Sequence, residues 1–150
     1  MKQFFIIAVF LTFSVQVFSQ ANSNQPLPNI GSGPWDYGIY GNTSLIQLIA
    51  TPEKYDGKMI QIIGYLHLEF EGNAIYLHKE DFENSITENG FWVNFSEKVT
   101  QRANIMDYSD RYVIIIGTFK MNDKGHLDLF GGTIDDIVRL GSWGDWRKKK

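Results

Sequence analysis

The segment from Lys58 to Lys79 constrains the fold more than any other part of the chain. Its side chains alternate between apolar and mixed types with a period of two, which is the pattern of a β-strand with one buried face. The turn Glu71-Gly72-Asn73 consists of residues that accept a positive φ, so a second strand follows the first. The segment therefore predicts a hairpin that packs one face on a core. The even-numbered positions supply that face: Ile60, Ile62, Gly64, Leu66, Leu68 and Phe70.

The N-terminal residues have the layout of a secretory signal peptide. Lys2 supplies a positive charge, Phe4–Phe13 is almost wholly apolar, and Val17-Phe18-Ser19 offers small residues where a signal peptidase cuts. A short membrane anchor is the alternative, but the apolar run is shorter than the roughly 20 residues needed to span a bilayer. We therefore expect residues 1–19 to be removed and the remaining chain to be exported, either periplasmic or secreted.

The charge distribution disfavours a broad nucleic-acid surface. Residues 20–146 hold 9 basic and 17 acidic side chains, whereas cations that neutralise phosphate supply most non-specific affinity for nucleic acids. Residues 147–150 form a basic tail, Arg-Lys-Lys-Lys, which either contacts phosphate or an acidic surface or is simply solvated. The chain has no cysteine, which excludes disulfides, cysteine-ligated zinc and thiol catalysis.

Two helices are predicted outside the hairpin. A hydroxyl side chain at Thr43 or Ser44 is suited to cap a short helix over 45–50. Residues 97–108 carry apolar side chains at helical spacing, and we expect an amphipathic helix that begins after Ser96, with an acidic first turn.

Three further strands are predicted after the hairpin. Residues 91–95 alternate between two faces, and residues 111–121 are apolar on both faces, which is typical of a strand covered on both sides. Residues 126–130 alternate so that their two leucines point inward. Residues 133–140 either extend this last strand or form a short closing helix, and the sequence leaves both alternatives open.

This order of strands and helices is that of the OB-fold. We predict a mainly β protein, a five-stranded OB-like Greek-key barrel with a helix between strands 3 and 4 and a short N-terminal helix. Gly64 and Gly117 each lie within a long predicted strand, where they suit the sharp coiling that a small barrel needs.

The run from Ser44 to Leu77, SLIQLIATPEKYDGKMIQIIGYLHLEFEGNAIYL, resembles a family of small exported bacterial proteins of uncharacterised function. The later runs RYVIIIGTF and GHLDLFGGTIDDIVRL are similar to the second half of that family. The resemblance covers residues 44–140, implies an OB-like domain and export, and brings no activity with it. A polar and aromatic lead segment at 20–43 and a basic C-terminal tail at 141–150 lie outside it.

One face of the predicted sheet is a candidate binding surface. In OB-folds this outer side stacks bases or sugars on aromatic rings. The alternative is that the aromatic lead residues 35–40, or the leading helix, cover this face. The side chains that the alternation points away from the core are Tyr65, His67, Tyr76, His78 and Trp92, with Glu69 and Asn94 at the edges.

Other chemistries find less support in the sequence. Three histidines with nearby acids offer metal ligands, but their spacing matches no recognised zinc pattern. No nucleophile elbow, phosphate-binding loop or zinc-protease motif is present in the sequence. The metal candidates are His67, His78 and His126, with Glu69, Asp81 or Asp128.

We therefore interpret the chain as an exported, non-catalytic binding or interaction module with no metal and no cofactor. Its expected partner is a small ligand, a saccharide or a protein, and nucleic acid is disfavoured. Two alternatives stay open: nucleic-acid or oligosaccharide binding through the aromatic face and the basic tail, and a small metal-dependent enzyme.

Overall fold

The computed structural model describes residues 43–102 and 104–144. The strands are β1 (Met59–His67), β2 (Ala74–Tyr76), β3 (Gly90–Phe95), β4 (Arg111–Lys120) and β5 (Thr133–Ser142). The helices are α1 (Leu45–Ala50), α2 (Lys79–Glu83) and α3 (Glu97–Thr100), and short 3-10 turns cover Pro52–Lys54, Thr87–Asn89, Ile105–Tyr108 and His126–Asp128.

The five strands form a closed barrel in the order β1-β2-β3-β5-β4. β3 and β5 pair in parallel, and the other neighbouring pairs are antiparallel. A helix lies between strands 3 and 4, and a short helix precedes the barrel. The prediction of an OB-like Greek-key barrel is therefore confirmed.

The predicted inner face of β1 fills the barrel. Ile60, Ile62 and Leu66 are buried there, with Phe91 and Val93 from β3 beside them. Phe70 lies beyond the end of β1 and is 92% exposed, so its assignment to the core was wrong. The strand ends three residues earlier than the alternation predicts, and the chain then turns toward β2.

α1 closes one end of the barrel. The Ser44 side chain accepts a hydrogen bond from the Gln47 backbone N–H at 3.2 Å, and the Gln47 side chain accepts one from the Ser44 N–H at 2.9 Å. This capping box satisfies two of the free amide groups at the start of the helix. Leu45 and Leu48 then pack into the core. The prediction of a capped helix over 45–50 is confirmed.

The predicted strand at 126–130 is wrong. Leu127 and Asp128 both have φ of 56°, a left-handed conformation in which a strand does not continue. Leu127 is consequently 74% exposed instead of pointing inward. The fifth strand of the barrel is β5, so residues 133–140, for which the sequence allowed a strand or a helix, form a strand.

The predicted helix over 97–108 is right only at its start. α3 ends at Thr100, and the Asn104 side chain accepts a hydrogen bond from the Met106 N–H at 3.2 Å to begin a separate 3-10 turn. Such side chain–backbone bonds compete with helix propagation. The Ser96 hydroxyl donates to the Ile137 carbonyl at 2.8 Å and so ties α3 to β5.

Several predictions fall outside the described part of the chain. The signal peptide at 1–19, the lead segment up to residue 42 and the basic residues 147–150 are among them. Within the described residues, no helix is both long enough and apolar enough to cross a bilayer.

Replacing Gly64 with alanine should destabilise the barrel. An added Cβ would lie 2.7 Å from Ile75 Cγ1, from Leu45 Cδ1 and from the Tyr76 carbonyl oxygen. Overpacking of this kind costs about 1–3 kcal/mol. Urea unfolding should show a lower midpoint with an unchanged slope. Gly131→Ala is the control, because the atoms nearest to its added Cβ lie at 3.3 Å. This variant should lose less stability. Equal midpoints for the two variants would contradict this account of Gly64.

Candidate functional site

α2 covers part of the predicted aromatic face through one side chain, Phe82. The Phe82 ring stacks on His67 with the ring centroids 3.9 Å apart, and it lies 6.1 Å from the Tyr65 ring and 5.7 Å from the Tyr76 ring. These contacts leave Tyr65 and Tyr76 buried. The face is therefore a packed aromatic cluster at this point. The leading helix is not the cover, because α1 packs into the barrel core, and residues 35–40 lie outside the described chain.

His67 is held in place from two sides. Its Nδ1 lies 2.6 Å from Asp110 Oδ1, and its Nε2 lies 3.6 Å from Glu69 Oε2. The Tyr65 hydroxyl also donates to Asp110 Oδ1, at 3.4 Å. The Asp110 backbone N–H donates to the Leu66 carbonyl at 2.8 Å. These contacts fix the end of β1 to the start of β4 and give His67 a structural role.

A cleft of about 300 Å³ opens beside this cluster, and we call it the loop cleft. Three connections meet there: the β1–β2 loop, the segment between β2 and β3 that contains α2, and the β4–β5 loop. Its volume is at the lower end of the range of small-ligand sites, about 300–1,000 Å³. Its lining residues are Glu69, Glu71, Gly72, Tyr76, Phe82, Ser85, Thr87, His126, Leu129 and Phe130.

The loop cleft combines aromatic walls with polar groups that make no close hydrogen bond. Tyr76 is only 6% exposed, yet its hydroxyl has no hydrogen-bond partner among the described residues. Glu69 lies 3.6 Å from His67, and Glu71 lies 3.8 Å from His126. Both distances are longer than a hydrogen bond. Of the described residues that line the cleft, none is lysine or arginine. The carboxylates and the hydroxyl are therefore available to a ligand.

Trp92 supports the wall of the cleft from behind. Its ring lies 5.6 Å from Phe130 and 6.5 Å from His126, and its Nε1–H donates to Asn94 Oδ1 at 2.9 Å. A Cβ on Gly125 would lie 2.5 Å from the Trp92 Cβ and Cγ, so the glycine lets the β4–β5 loop lie directly on the indole. Trp92 therefore positions the loop that carries three cleft residues, His126, Leu129 and Phe130.

The backbone around the loop cleft is unusual. Glu71, Ser85, Leu127 and Asp128 have positive φ values without being glycine, and each belongs to one of the three connections that form the cleft. Such residues cost of order 1–3 kcal/mol each and persist where the surrounding structure holds them. The three connections are therefore held in defined conformations.

A second groove, of about 480 Å³, lies beside α1. Its wall is more apolar and includes Ile46, Ile63, Leu77 and Trp143. The Thr43 backbone N–H donates to the Gln61 carbonyl at 3.1 Å in this wall. Thr43, the first described residue, is thereby tied to β1.

The structure brings together four of the five predicted site residues. Tyr76 lines the loop cleft, Tyr65 and His67 lie beneath Phe82, and Trp92 lies behind Phe130. His78 is separate from them. β2 ends at Tyr76, and the His78 backbone N–H donates to Asp81 Oδ2 at 2.8 Å at the start of α2. The predicted second strand was too long, and His78 begins α2 instead of continuing β2.

Two aromatic residues of the site were not predicted, Phe82 and Phe130. Phe82 is a single apolar residue within the charged run Lys79–Glu83, and an isolated aromatic in such a run indicates a packing anchor. Phe130 was assigned to the outer side of a strand that does not form. Its partners, Tyr76 and Trp92, come from distant parts of the chain and cannot be read from local pattern.

The three histidines do not converge. His67 contacts Asp110, His126 lies near Glu71, and His78 begins α2. Across the described ranges, no group of three or more histidine, aspartate or glutamate side chains is arranged to hold a metal ion.

Comparison with known proteins shows only distant similarity. No protein-family model matches the chain, and no curated protein sequence matches it. Among solved structures, the chain is similar to a putative aspartyl-tRNA synthetase from Leishmania major Friedlin, with a TM-score of 0.44 and 10% sequence identity. The match covers 75% of this chain and 23% of the synthetase chain. A similarity at this level carries no conclusion about function.

The ionisation of Tyr76 should report its environment. Burial and, second, the Glu69 carboxylate raise the pKa of Tyr76 above its ordinary value of 10.0. The folded state therefore holds this proton more tightly, and its contribution to stability is complete below pH 10 and is lost as the pH rises through the folded pKa.

In a titration of tyrosinate absorbance, we expect an ionisation step at higher pH than that of an ordinary tyrosine. Tyr76→Phe should remove this step, and Glu69→Gln should shift it to lower pH. The same titration in denaturant provides the unfolded reference. A Tyr76 step that coincides with the step of the denatured protein would contradict the buried environment.

Proposed function

We propose that this chain is an exported, non-catalytic binding module that takes a small ligand in the loop cleft of its OB-like barrel. The observation that carries the proposal is the Tyr76 hydroxyl, which lines an aromatic cleft between three loops and has no partner among the described residues. A ligand that pairs with this hydroxyl would gain a hydrogen bond, which contributes about 0.5–1.5 kcal/mol.

The position of the loop cleft supports the proposal. OB-folds bind oligonucleotides and oligosaccharides with the face of strands 2 and 3 and with the loops that join strands 1–2 and 4–5. In this chain Tyr76 comes from β2, Glu71 from the β1–β2 loop and Phe130 from the β4–β5 loop. The cleft therefore lies where this fold offers its ligand surface.

The charge of the loop cleft favours a saccharide or a peptide over a nucleic acid. Glu69 and Glu71 line it, and carboxylates repel a phosphate backbone, which is bound chiefly by lysine and arginine. The Phe130 and Tyr76 rings lie 6.3 Å apart at an angle of 64°. They supply apolar surface for the flat side of a ring or for a side chain.

One further point supports binding without catalysis, and another supports export. His67 is the described histidine nearest to an acid, and its contacts with Asp110 and Phe82 hold it in a structural position. The signal-peptide layout of residues 1–19 and the resemblance of residues 44–140 to exported bacterial proteins both favour a role outside the cytoplasm.

The test is a calorimetric screen of oligosaccharides, oligonucleotides, peptidoglycan fragments and short peptides, repeated on two variants. Tyr76→Phe removes the hydroxyl alone and should weaken the ligand that binds by about 2–10-fold, the value of one hydrogen bond. Ile46→Ala changes the second groove, where Ile46 is 60% exposed, and should leave the affinity unchanged.

The opposite result would contradict the proposal. If Ile46→Ala weakens the bound ligand and Tyr76→Phe does not, the ligand occupies the second groove. Circular dichroism of both variants should match that of the parent protein, so that a loss of affinity is not a loss of fold.

A further inference from the structure

Resting on the function proposed above, we propose that the ligand of the loop cleft is a hydroxylated ring that carries a protonated amino group, as an amino sugar does. Three features of the cleft point to this class: two carboxylates whose histidine neighbours lie beyond hydrogen-bond distance, a tyrosine hydroxyl without a partner among the described residues, and an apolar wall.

The carboxylates define the charge of the ligand. Glu69 and Glu71 both line the cleft, and their nearest histidine nitrogens lie at 3.6 and 3.8 Å. No lysine or arginine is among the described lining residues. The cleft therefore presents two negative charges that the protein does not pair closely. A ligand ammonium group would pair with them in charge-assisted hydrogen bonds, which are stronger than neutral ones.

The Glu69 side chain packs on the backbone of the β1–β2 loop. A Cβ on Gly72 would lie 2.3 Å from Glu69 Oε1, so the glycine leaves room for the carboxylate against the chain. The Gly72 N–H donates to the Glu69 carbonyl at 3.3 Å. The Glu69 carboxylate therefore lies against the turn, at the edge of the cleft.

The remaining groups match hydroxyls and the apolar face of a ring. The Tyr76 hydroxyl both donates and accepts hydrogen bonds, and Ser85 and Thr87 add hydroxyls at the rim. Leu129 and Phe130 form apolar wall on the opposite loop. A simple alkyl amine would leave the Tyr76 hydroxyl unpaired, whereas an amino sugar offers hydroxyls to it and an ammonium group to the glutamates.

The test compares three probes by calorimetry on the full chain: a glucosamine trimer, an N-acetylglucosamine trimer and trilysine. The pH is mildly acidic, so that the amino groups of the probes are protonated. The glucosamine trimer should bind at least about tenfold more tightly than the acetylated trimer, which corresponds to about 1.4 kcal/mol. Added salt should weaken the glucosamine trimer more than the acetylated one.

Matched variants locate the effect. Glu71→Gln should lose about tenfold in affinity for the glucosamine trimer, or about 1.4 kcal/mol, and little for the acetylated trimer. Glu53→Gln makes the same charge change in the 3-10 turn Pro52–Lys54 before β1 and should have no effect.

Three results would overturn the inference. Equal affinity for the two trimers would show that the cleft does not recognise the amino group, although the protein would still be a binding module. If trilysine binds as tightly as the glucosamine trimer, the cleft recognises positive charge alone. No binding of any probe at millimolar concentration excludes the amino-sugar class. The function proposed for the loop cleft would fail in a different way. In that case the broader screen would identify a ligand whose affinity depends on Ile46 and not on Tyr76.

Discussion

The parallel pairing of β3 with β5 is the constraint on which the site depends. It closes the barrel and brings Trp92 opposite Thr133, so the β4–β5 loop must return over the outer face of β3. Two backbone hydrogen bonds fix that return: the Gly131 N–H donates to the Gly90 carbonyl at 3.0 Å, and the Trp92 N–H donates to the Gly132 carbonyl at 2.9 Å. His126 and Phe130 are thereby carried to the cleft. Without this pairing the three loops would not meet, and Tyr76 would lie on an open sheet.

Phe82 divides the aromatic face into a structural part and a ligand-accessible part. On one side its ring stacks on His67 and buries Tyr65, and these residues are tied to Asp110. On the other side it forms a wall of the loop cleft with Phe130. Aromatic pairs contribute about 0.5–1.5 kcal/mol beyond their buried area, so the cluster also holds α2 on the barrel. A rigid wall of this kind lowers the entropic cost of ligand binding, because fewer side chains must be ordered.

The sequence predicted the barrel well because each of its strongest signals is local. The alternation in β1, the apolar run in β4 and the Ser44 cap each depend on residues close together in the chain, and all three are confirmed. The fifth strand was misplaced because the alternation in His126–Phe130 imitates a strand, whereas Leu127 has a positive φ in a loop whose Gly125 packs against Trp92. The same contrast between local pattern and tertiary packing explains why the site was predicted only in part. Tyr76 and Trp92 follow from strand alternation, but Phe82 and Phe130 reach the cleft through tertiary contacts that no local pattern encodes.

The central claim is that the meeting point of the three loops is the ligand site. Nuclear magnetic resonance shift mapping of the backbone amides, with the protein titrated by its tightest ligand from the screen, tests this claim most directly. The account predicts the largest shift changes in residues 69–72, 82–87 and 125–130, which form the loop cleft. Changes centred instead on Ser44, Ile63 and Trp143, in the second groove, would contradict it.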